Sequence, residues 1–326
     1  MELFELQSRH NPAYGRMCAA RGIKPANWFQ VPAVPTSAFK ELELTSLATE
    51  DRTTVFHSSG TTEQRPSSHF HSAESLRIYE EAALAGIPSF LFPAAGTQQQ
   101  LLILTPPRRQ APHSSLVHMF HIFRRAFGSA QSEFLGAVTA DGAWQLDFEA
   151  AETALGEASA ADRPVVLLGT AFSFVHLLDH FLSKRLQFQL PSGSRALETG
   201  GYKGRSRSLP KQELYASIEE RLGIPQSKII CEYGMSELSS QAYDSPGSGN
   251  RRFRFPAWAR AVVISPETGL EVAEGETGLL RVFDLANVFS VMAIQTEDLA
   301  VRHANAFELL GRAHLAEARG CSLMPA

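Results

Sequence analysis

The stretch KIICEYGMSE, residues 228–237, determines how the rest of the chain is interpreted. Its first six residues predict a strand, and the small residues after them predict a turn at the strand's carboxyl end. An aromatic ring, a hydroxyl and a carboxylate fall on that turn, in Tyr233, Ser236 and Glu237. Open α/β sheets bind ligands where their strands end. These side chains suit an adenine face, a phosphate oxygen and a magnesium ion respectively. A plain strand-end turn is the better explanation when the stretch is taken alone.

A loop of small polar residues follows an earlier predicted strand at residues 53–56. Its hydroxyl and backbone N–H groups can wrap a polyphosphate, and its glycine lets the backbone come close. The loop consists of Ser58, Ser59, Gly60, Thr61 and Thr62. It is not a Walker loop, because no Gly-Lys-Ser/Thr follows it. An ordinary turn is the alternative.

Two more stretches carry groups that fit a nucleotide. TEDL at residues 296–299 contains Asp298, a carboxylate suited to bidentate hydrogen bonds with two adjacent ribose hydroxyls. GGYKG at residues 200–204 joins a tight glycine turn to a lysine. Each of these stretches, taken alone, is equally compatible with a solvated turn.

Short apolar strands alternate with helices along the middle of the chain. Residues 101–105 and 164–169 read as strands buried on both faces, and Ser72 can cap a helix over residues 73–85. This alternation predicts an α/β sheet covered by helices. After Pro256 the pattern changes to short β-rich pieces, which predict a small β subdomain.

The composition excludes several classes of protein. The 326 residues are 44% apolar and 20% charged, unlike a disordered or collagen-like chain. Thirty basic and thirty-four acidic residues give a net charge of -4, which argues against a nucleic-acid partner. The start MELFE lacks the features of a signal peptide, and no apolar run is long enough to span a bilayer. The three cysteines lie far apart and predict neither disulfides nor a zinc site, so we expect a cytoplasmic protein with reduced thiols.

Taken together and in this order, the stretches resemble the motifs of the acyl-adenylate-forming superfamily. Residues 58–62 are similar to its phosphate loop and residues 233–237 to its nucleotide and magnesium motif. Gly200, Gly201 and Tyr202 resemble its adenine-side turn, residues 296–299 its ribose motif, and residues 310–312, ending in Arg312, its hinge motif.

Within the superfamily, the chain is most similar to the acyl-protein synthetases, or long-chain-fatty-acid–protein ligases, of the bacterial bioluminescence fatty-acid reductase complex. The resemblance spans nearly the whole chain and rests on residues 34–35, 39–41, 56–60, 232–238, 284–287 and 319–324. It implies ATP- and Mg²⁺-dependent activation of a fatty acid to an acyl-adenylate. It also implies capture of the acyl group on Cys321 for delivery to an acyl reductase, with acyl reductase and acyl-transferase subunits as partners.

The resemblance also implies an architecture and a set of site residues. We expect an N-terminal arm over residues 1–50, an α/β core with stacked sheets over 51–312 with its β subdomain at about 256–300, and a tail over 313–326. The superfamily's mobile C-terminal domain is expected to be essentially absent. ATP would contact residues 58–62, Gly200, Gly201, Tyr202, Tyr233, Gly234, Met235, Ser236, Asp298 and Arg312, Mg²⁺ would contact Glu237, and the acyl chain would contact Gly169, Thr170 and Phe172.

Departures from the superfamily pattern raise questions about the chemistry. The phosphate loop continues EQRP at residues 63–66, where the superfamily commonly has Gly-x-Pro-Lys. The adenylation lysine belongs to the domain expected to be missing, and Lys203 is the candidate replacement, with Arg205 and Arg207 as alternatives.

Two other functions remain open. One is a related ligase that adenylates an aryl or short-chain acid and passes it to coenzyme A or a carrier protein. The other is a non-catalytic subunit that binds nucleotide or acyl chains within a reductase complex.

Overall fold

Buried strands and the helices that cover them build the centre of this protein. The computed structural model describes residues 1–22, 24–58, 65–87, 91–92, 98–200, 209–244 and 251–313. Its helices are α1 (Glu2–His10), α2 (Pro12–Arg21), α3 (Ala38–Glu41), α4 (Ala73–Gly86), α5 (Ser115–Phe127), α6 (Phe148–Ala160), α7 (Ala171–Lys184) and α8 (Lys211–Leu222).

The strands alternate with these helices in the first two thirds of the chain and follow one another in the last third. They are β1 (Val34–Pro35), β2 (Thr54–His57), β3 (Ser68–His71), β4 (Gln100–Ile103), β5 (Glu133–Phe134), β6 (Gly136–Val138), β7 (Trp144–Leu146), β8 (Val165–Thr170), β9 (Arg195–Thr199), β10 (Ile229–Tyr233), β11 (Ala242–Asp244), β12 (Phe253–Arg254), β13 (Ala259–Ile264), β14 (Thr277–Asp284), β15 (Ala293–His303) and β16 (Ala306–Arg312).

One large sheet runs through the described part of the chain. Its order is β13-β14-β15-β16-β12-β11-β10-β9-β8-β4-β5, with β1 added beside β15. Strands β4, β5, β8, β9 and β10 are parallel, and the ladder from β10 through β11 and β12 to β16 is antiparallel. The expected α/β core and β-rich last third are therefore hydrogen-bonded into one sheet, while β2–β3 and β6–β7 form separate hairpins.

The parallel strands are buried because helices cover both of their faces. Val165 and Leu167 pack with α6, α7 and α8, whereas Val166 and Leu168 pack with α4 and α5. This burial explains why β8 is apolar at every position instead of alternating. Helix α4 begins after Ser72, as predicted, and the Ser72 hydroxyl accepts a hydrogen bond from the backbone N–H three residues later.

The N-terminal segment is tied to the antiparallel strands. Gln7 Nε2 donates to the backbone oxygen of Asn287 at 2.7 Å, and Gln7 Oε1 accepts from the backbone N–H of Met292. Strand β1 then pairs in parallel with β15. These contacts fix the position of the strand that carries Asp298.

No helix in the described ranges combines the length and apolar character needed to cross a bilayer.

Candidate active site

A cleft of about 2140 Å³ opens where the carboxyl ends of β9 and β10 meet β15 and β16. Ligand pockets commonly hold about 300–1,000 Å³, so there is room for more than one substrate. Predicted site residues that line it are Ser58, Thr170, Phe172, Gly200, Tyr233, Gly234, Met235, Ser236, Glu237, Asp298 and Arg312. Ser59, Gly60, Thr61, Thr62, Gly201, Tyr202, Lys203 and Cys321 lie outside the described residues.

A chain of hydroxyl groups joins the end of β2 to the turn after β10. The Ser58 hydroxyl accepts from the Ser67 backbone N–H at 2.9 Å, and the Ser67 hydroxyl lies 3.3 Å from the Ser236 hydroxyl. Ser236 in turn donates to Glu237 Oε2 at 3.0 Å. Two stretches far apart in the sequence thus place oxygen ligands side by side in the cleft.

Two buried side chains donate hydrogen bonds to the backbone of the turn that carries Ser236 and Glu237. His69 Nδ1 donates to the backbone oxygen of Ser236 at 2.8 Å, and Asn287 Nδ2 donates to the backbone oxygen of Glu237 at 2.9 Å. Burial lowers the pKa of His69 to about 4, so it is neutral at physiological pH. Both contacts fix where the Glu237 carboxylate lies.

Tyr233 and Asp298 meet across the cleft. The Tyr233 hydroxyl donates to Asp298 Oδ2 at 2.7 Å, and its ring packs edge-on against Phe307. Asp298 faces Arg312 in the β15–β16 register, with the Arg312 Nε 3.8 Å from Asp298 Oδ1. Burial raises the pKa of Asp298, while the Tyr233 hydrogen bond and Arg312 oppose that shift.

A second polar group lines the cleft beside α8, and the sequence did not single it out. Glu198 is fully buried and accepts from the Tyr215 hydroxyl at 3.0 Å, and Lys211 Nζ lies 2.7 Å from the Cys231 sulfur. Glu198 Oε1 is buried and has no hydrogen-bond partner among the described residues. An unpaired buried acceptor in a cleft wall fits a ligand N–H group, such as the exocyclic amine of adenine.

The expected acyl-binding residues divide between the cleft and the core. Thr170 and Phe172 line the cleft, although the Thr170 hydroxyl also caps α7. Gly169 is buried in β8 against Leu104 and Phe174. Beyond Phe172, the apolar residues of α7 from Phe174 onward face the core between the sheet and α6–α8.

The donor set fits a magnesium ion held jointly with phosphates. The described residues contain no group of three or more His, Cys, Asp or Glu side chains arranged for a metal. Magnesium commonly binds to one or two carboxylates together with substrate phosphates. Glu237, buried beside the hydroxyls of Ser67 and Ser236, offers such a carboxylate.

Comparisons with known proteins agree with this geometry. The family model described as acyl-protein synthetase, LuxE, matches residues 2–325. The chain belongs to the acyl-protein synthetase family. It is 24% identical to the long-chain-fatty-acid–luciferin-component ligase of Aliivibrio fischeri, over 99% of this chain and 85% of that protein. Membership of this family makes the chain a ligase.

Solved structures establish the fold. The open conformation of 2-hydroxyisobutyryl-CoA ligase in complex with 2-HIB-AMP and CoA matches with a TM-score of 0.69 at 13% identity, over 95% of this chain and 72% of that one. ATP-bound MatB from Rhodopseudomonas palustris matches with a TM-score of 0.54 at 19% identity, over 82% and 49%. The predicted adenylate-forming α/β fold is confirmed, and the chain spans about half the length of MatB.

Several site residues escaped the sequence analysis. Ser67 comes just before β3 and His69 lies on it, and only the fold brings both of them to Ser236. Glu198 and Lys211 need the α8 packing to bring them together. Asn287 belongs to the stretch at residues 284–287 that supported the resemblance, but its role depends on the fold.

Proposed function

We propose that this protein activates a long-chain fatty acid with ATP to an acyl-adenylate and transfers the acyl group to its own Cys321, for delivery to an acyl reductase. One observation carries the proposal. In a member of the acyl-protein synthetase family, the hydroxyl chain from Ser58 to Ser236 and Glu237 lies in the same cleft as the Tyr233–Asp298 pair.

Each part of the nucleotide has a matching group in the cleft. The hydroxyls of Ser58 and Ser236 contact phosphate oxygens, and the carboxylate of Asp298 receives the ribose hydroxyls. The ring of Tyr233 lies against adenine, whose amine reaches Glu198 Oε1, the buried acceptor without a partner among the described residues. Arg312, at the open end of the cleft, pairs with Asp298. Glu237 would hold Mg²⁺, which would neutralise phosphate charge.

The residues outside the described ranges take the roles that the family resemblance gives them. Ser59, Gly60, Thr61 and Thr62 complete the phosphate loop. Gly201 and Tyr202 extend the adenine turn from Gly200, which has a φ of 78° that suits glycine. Lys203 offsets charge on the reacting phosphate.

The acid enters on the α5 side of the cleft. Leu116 and Met119 on α5 give this side its apolar surface, and Phe172 on α7 adds to the apolar lining of the cleft. The named activity of the Aliivibrio fischeri ligase on long-chain fatty acids supports an alkyl substrate here. Its carboxylate attacks the α-phosphorus and pyrophosphate leaves, after which a thiolate attacks the acyl carbonyl and AMP leaves.

Pyrophosphate exchange tests the activation step directly. The purified chain is incubated with ATP, labelled pyrophosphate, Mg²⁺ and one acid at a time, from octanoate to hexadecanoate, with phenylacetate and acetate as rivals. Label should enter ATP fastest with a long-chain acid. Preference for phenylacetate or acetate would support an aryl or short-chain ligase, and no exchange with any acid would support a non-catalytic subunit.

A further inference from the structure

The side chain of Gln7 on helix α1 lies against the loop that joins β14 to β15, residues 285–292. It is 1% exposed. Gln7 Nε2 donates to the backbone oxygen of Asn287 at 2.7 Å and to that of Val288 at 3.1 Å. Gln7 Oε1 accepts from the backbone N–H of Met292 at 2.9 Å. A single buried amide thus connects the middle of the loop to its end.

The same loop holds the turn that carries the Glu237 carboxylate. Asn287 Nδ2 donates to the backbone oxygen of Glu237 at 2.9 Å and to that of Val291 at 3.2 Å. Asn287 is 1% exposed, so these hydrogen bonds are shielded from water. Gln7 holds the backbone of Asn287, and the side chain of Asn287 holds the backbone of Glu237. Two buried amides therefore connect α1 to the cleft.

A second connection runs from the start of the loop to the residues that follow Glu237. The buried Asp284 carboxylate accepts from the backbone N–H groups of Ser239 at 3.0 Å and Ser240 at 2.8 Å. The Asp284 backbone N–H donates to the Met292 oxygen at 2.7 Å. The residue that α1 binds at the end of the loop is thus also bound to Asp284, so both connections depend on the same loop conformation.

The segment that leads to β2 contacts the loop independently of α1. The Ser290 hydroxyl donates to the backbone oxygen of Leu44 at 2.8 Å, and the Ser46 backbone N–H donates to the oxygen of Phe289 at 2.9 Å. These contacts do not involve Gln7. We therefore expect the loop to stay attached and to shift locally when Gln7 is replaced.

We propose that Gln7 is a positioning residue for the magnesium carboxylate, and that it acts through Asn287 on Glu237. Within the described part of the chain, Gln7 and Asn287 lie outside the lining of the cleft, so both act from behind its wall. Magnesium requires near-ideal octahedral geometry, so its affinity depends on where a ligand carboxylate is held. This inference rests on the proposed function, which places Mg²⁺ at Glu237.

ATP binding with and without Mg²⁺ separates positioning from stability. Gln7→Met keeps a long unbranched side chain and removes the hydrogen bonds to the loop. Tyr14→Phe is the matched control, because the buried Tyr14 hydroxyl donates to the backbone oxygen of Pro32 at 2.9 Å, outside the loop. Calorimetry gives the Kd for ATP in excess MgCl₂ and in EDTA, and the thermal midpoint reports stability.

We expect the Kd for ATP in MgCl₂ to rise about ten-fold in Gln7→Met, since groups that orient a metal ligand are typically worth about 10–100-fold in metal affinity. In EDTA the Kd should match that of wild type. The Mg²⁺ concentration that gives half-maximal pyrophosphate exchange should rise by the same factor. Tyr14→Phe should keep both Kd values and lose only stability. If Gln7→Met does not fold, Gln7→Asn, which keeps a shorter amide, should show the same selective loss.

A double-mutant cycle tests the route through Asn287. Asn287→Ala removes the hydrogen bond to Glu237 and should also raise the Kd for ATP in MgCl₂. If Gln7 acts through Asn287, the protein with both substitutions should bind ATP in MgCl₂ no more weakly than Asn287→Ala alone, because residues of one network are not additive. Additive losses would overturn the route.

Two further results would overturn the inference while the proposed function stands. One is a folded Gln7→Met that keeps the wild-type Kd in MgCl₂, and the other is an equal rise of the Kd in MgCl₂ and in EDTA. A wild-type protein that neither binds ATP nor exchanges pyrophosphate with any acid would overturn the proposed function and this inference with it.

Discussion

The Tyr233 hydroxyl lies 2.7 Å from Asp298 Oδ2, although 65 residues separate the two in the chain. Tyr233 ends a strand of the parallel part of the sheet, and Asp298 lies on an antiparallel strand that β1 also borders. The contact therefore joins the two parts of the sheet across the cleft. It also places an aromatic ring and a carboxylate side by side in the cleft wall.

Asp298→Asn should weaken selection for the ribose. The substitution keeps the size of the side chain and removes the charge, and a hydrogen bond to a charged group is worth about 1.5–3 kcal/mol. We expect the KM for ATP to rise about ten-fold or more. The ratio of KM values for 2′-deoxy-ATP and ATP should fall towards one in this variant, and an unchanged ratio would exclude a ribose contact at Asp298.

Ser67→Ala should weaken ATP binding without changing use of the acid. Ser67 is 1% exposed and its hydroxyl connects Ser236 to the end of β2. Loss of one such buried hydrogen bond costs about 1 kcal/mol, so the KM for ATP should rise about five-fold. Ser68→Ala, which removes the neighbouring hydroxyl near His57, is the control. A specific role for Ser67 would be contradicted if Ser67→Ala and Ser68→Ala changed the KM for ATP and the KM for the acid to the same extent.

Met119→Trp should shorten the preferred acyl chain. Met119 lies on α5, is 2% exposed and lines the apolar side of the cleft. A larger ring there fills space and can cost about 1–3 kcal/mol of stability, so the thermal midpoint is measured alongside. In the exchange assay, a folded variant should favour an acid shorter than that of wild type. If a folded variant prefers the same acid as wild type, the acyl chain does not lie against Met119.

The buried histidines on strand β3, His69 and His71, should make the free energy of unfolding depend on pH. Burial, together with His69 and His118, lowers the pKa of His71 to about 2. As pH falls below about 6.5 the unfolded chain binds a proton at this position that the folded chain does not bind, so stability falls. His71→Leu should reduce the slope of unfolding free energy between pH 6 and pH 5 by about 1 kcal/mol per unit, within the limit of about 1.4. Urea unfolding measures this slope, with His10→Leu at an exposed position as control.

Local patterns predicted the strands and helices of the core because burial on both faces leaves a plain apolar signature. Strands β4, β8 and β10 and helix α4 begin and end within a few residues of the predicted bounds. The sequence could not reveal that the last strands join the same sheet through β11 and β12, since that pairing depends on long-range register.

The site residues likewise divide into those that local sequence predicts and those that depend on long-range contacts. Tyr233 ends β10, Ser236 and Glu237 lie on the turn after it, and Asp298 lies within β15; all four line one cleft. Ser67 and Glu198 become notable only through what they contact, because a single serine before a strand or a single glutamate inside one carries no local signal. Gly169 was expected at the acyl chain; in β8 it packs against Leu104 and Phe174, while the next residue, Thr170, lines the cleft, since one residue along a strand reverses the face.

Self-acylation is the most direct test of the central claim. The purified chain is incubated with Mg²⁺, ATP and the acid preferred in exchange, and its intact mass is compared with a sample lacking ATP and with Cys321→Ser and Cys18→Ser. The account predicts an ATP-dependent gain of one acyl group that hydroxylamine removes, present in Cys18→Ser and absent in Cys321→Ser. A chain that exchanges pyrophosphate and stays unmodified, or that is acylated equally without ATP, would contradict it.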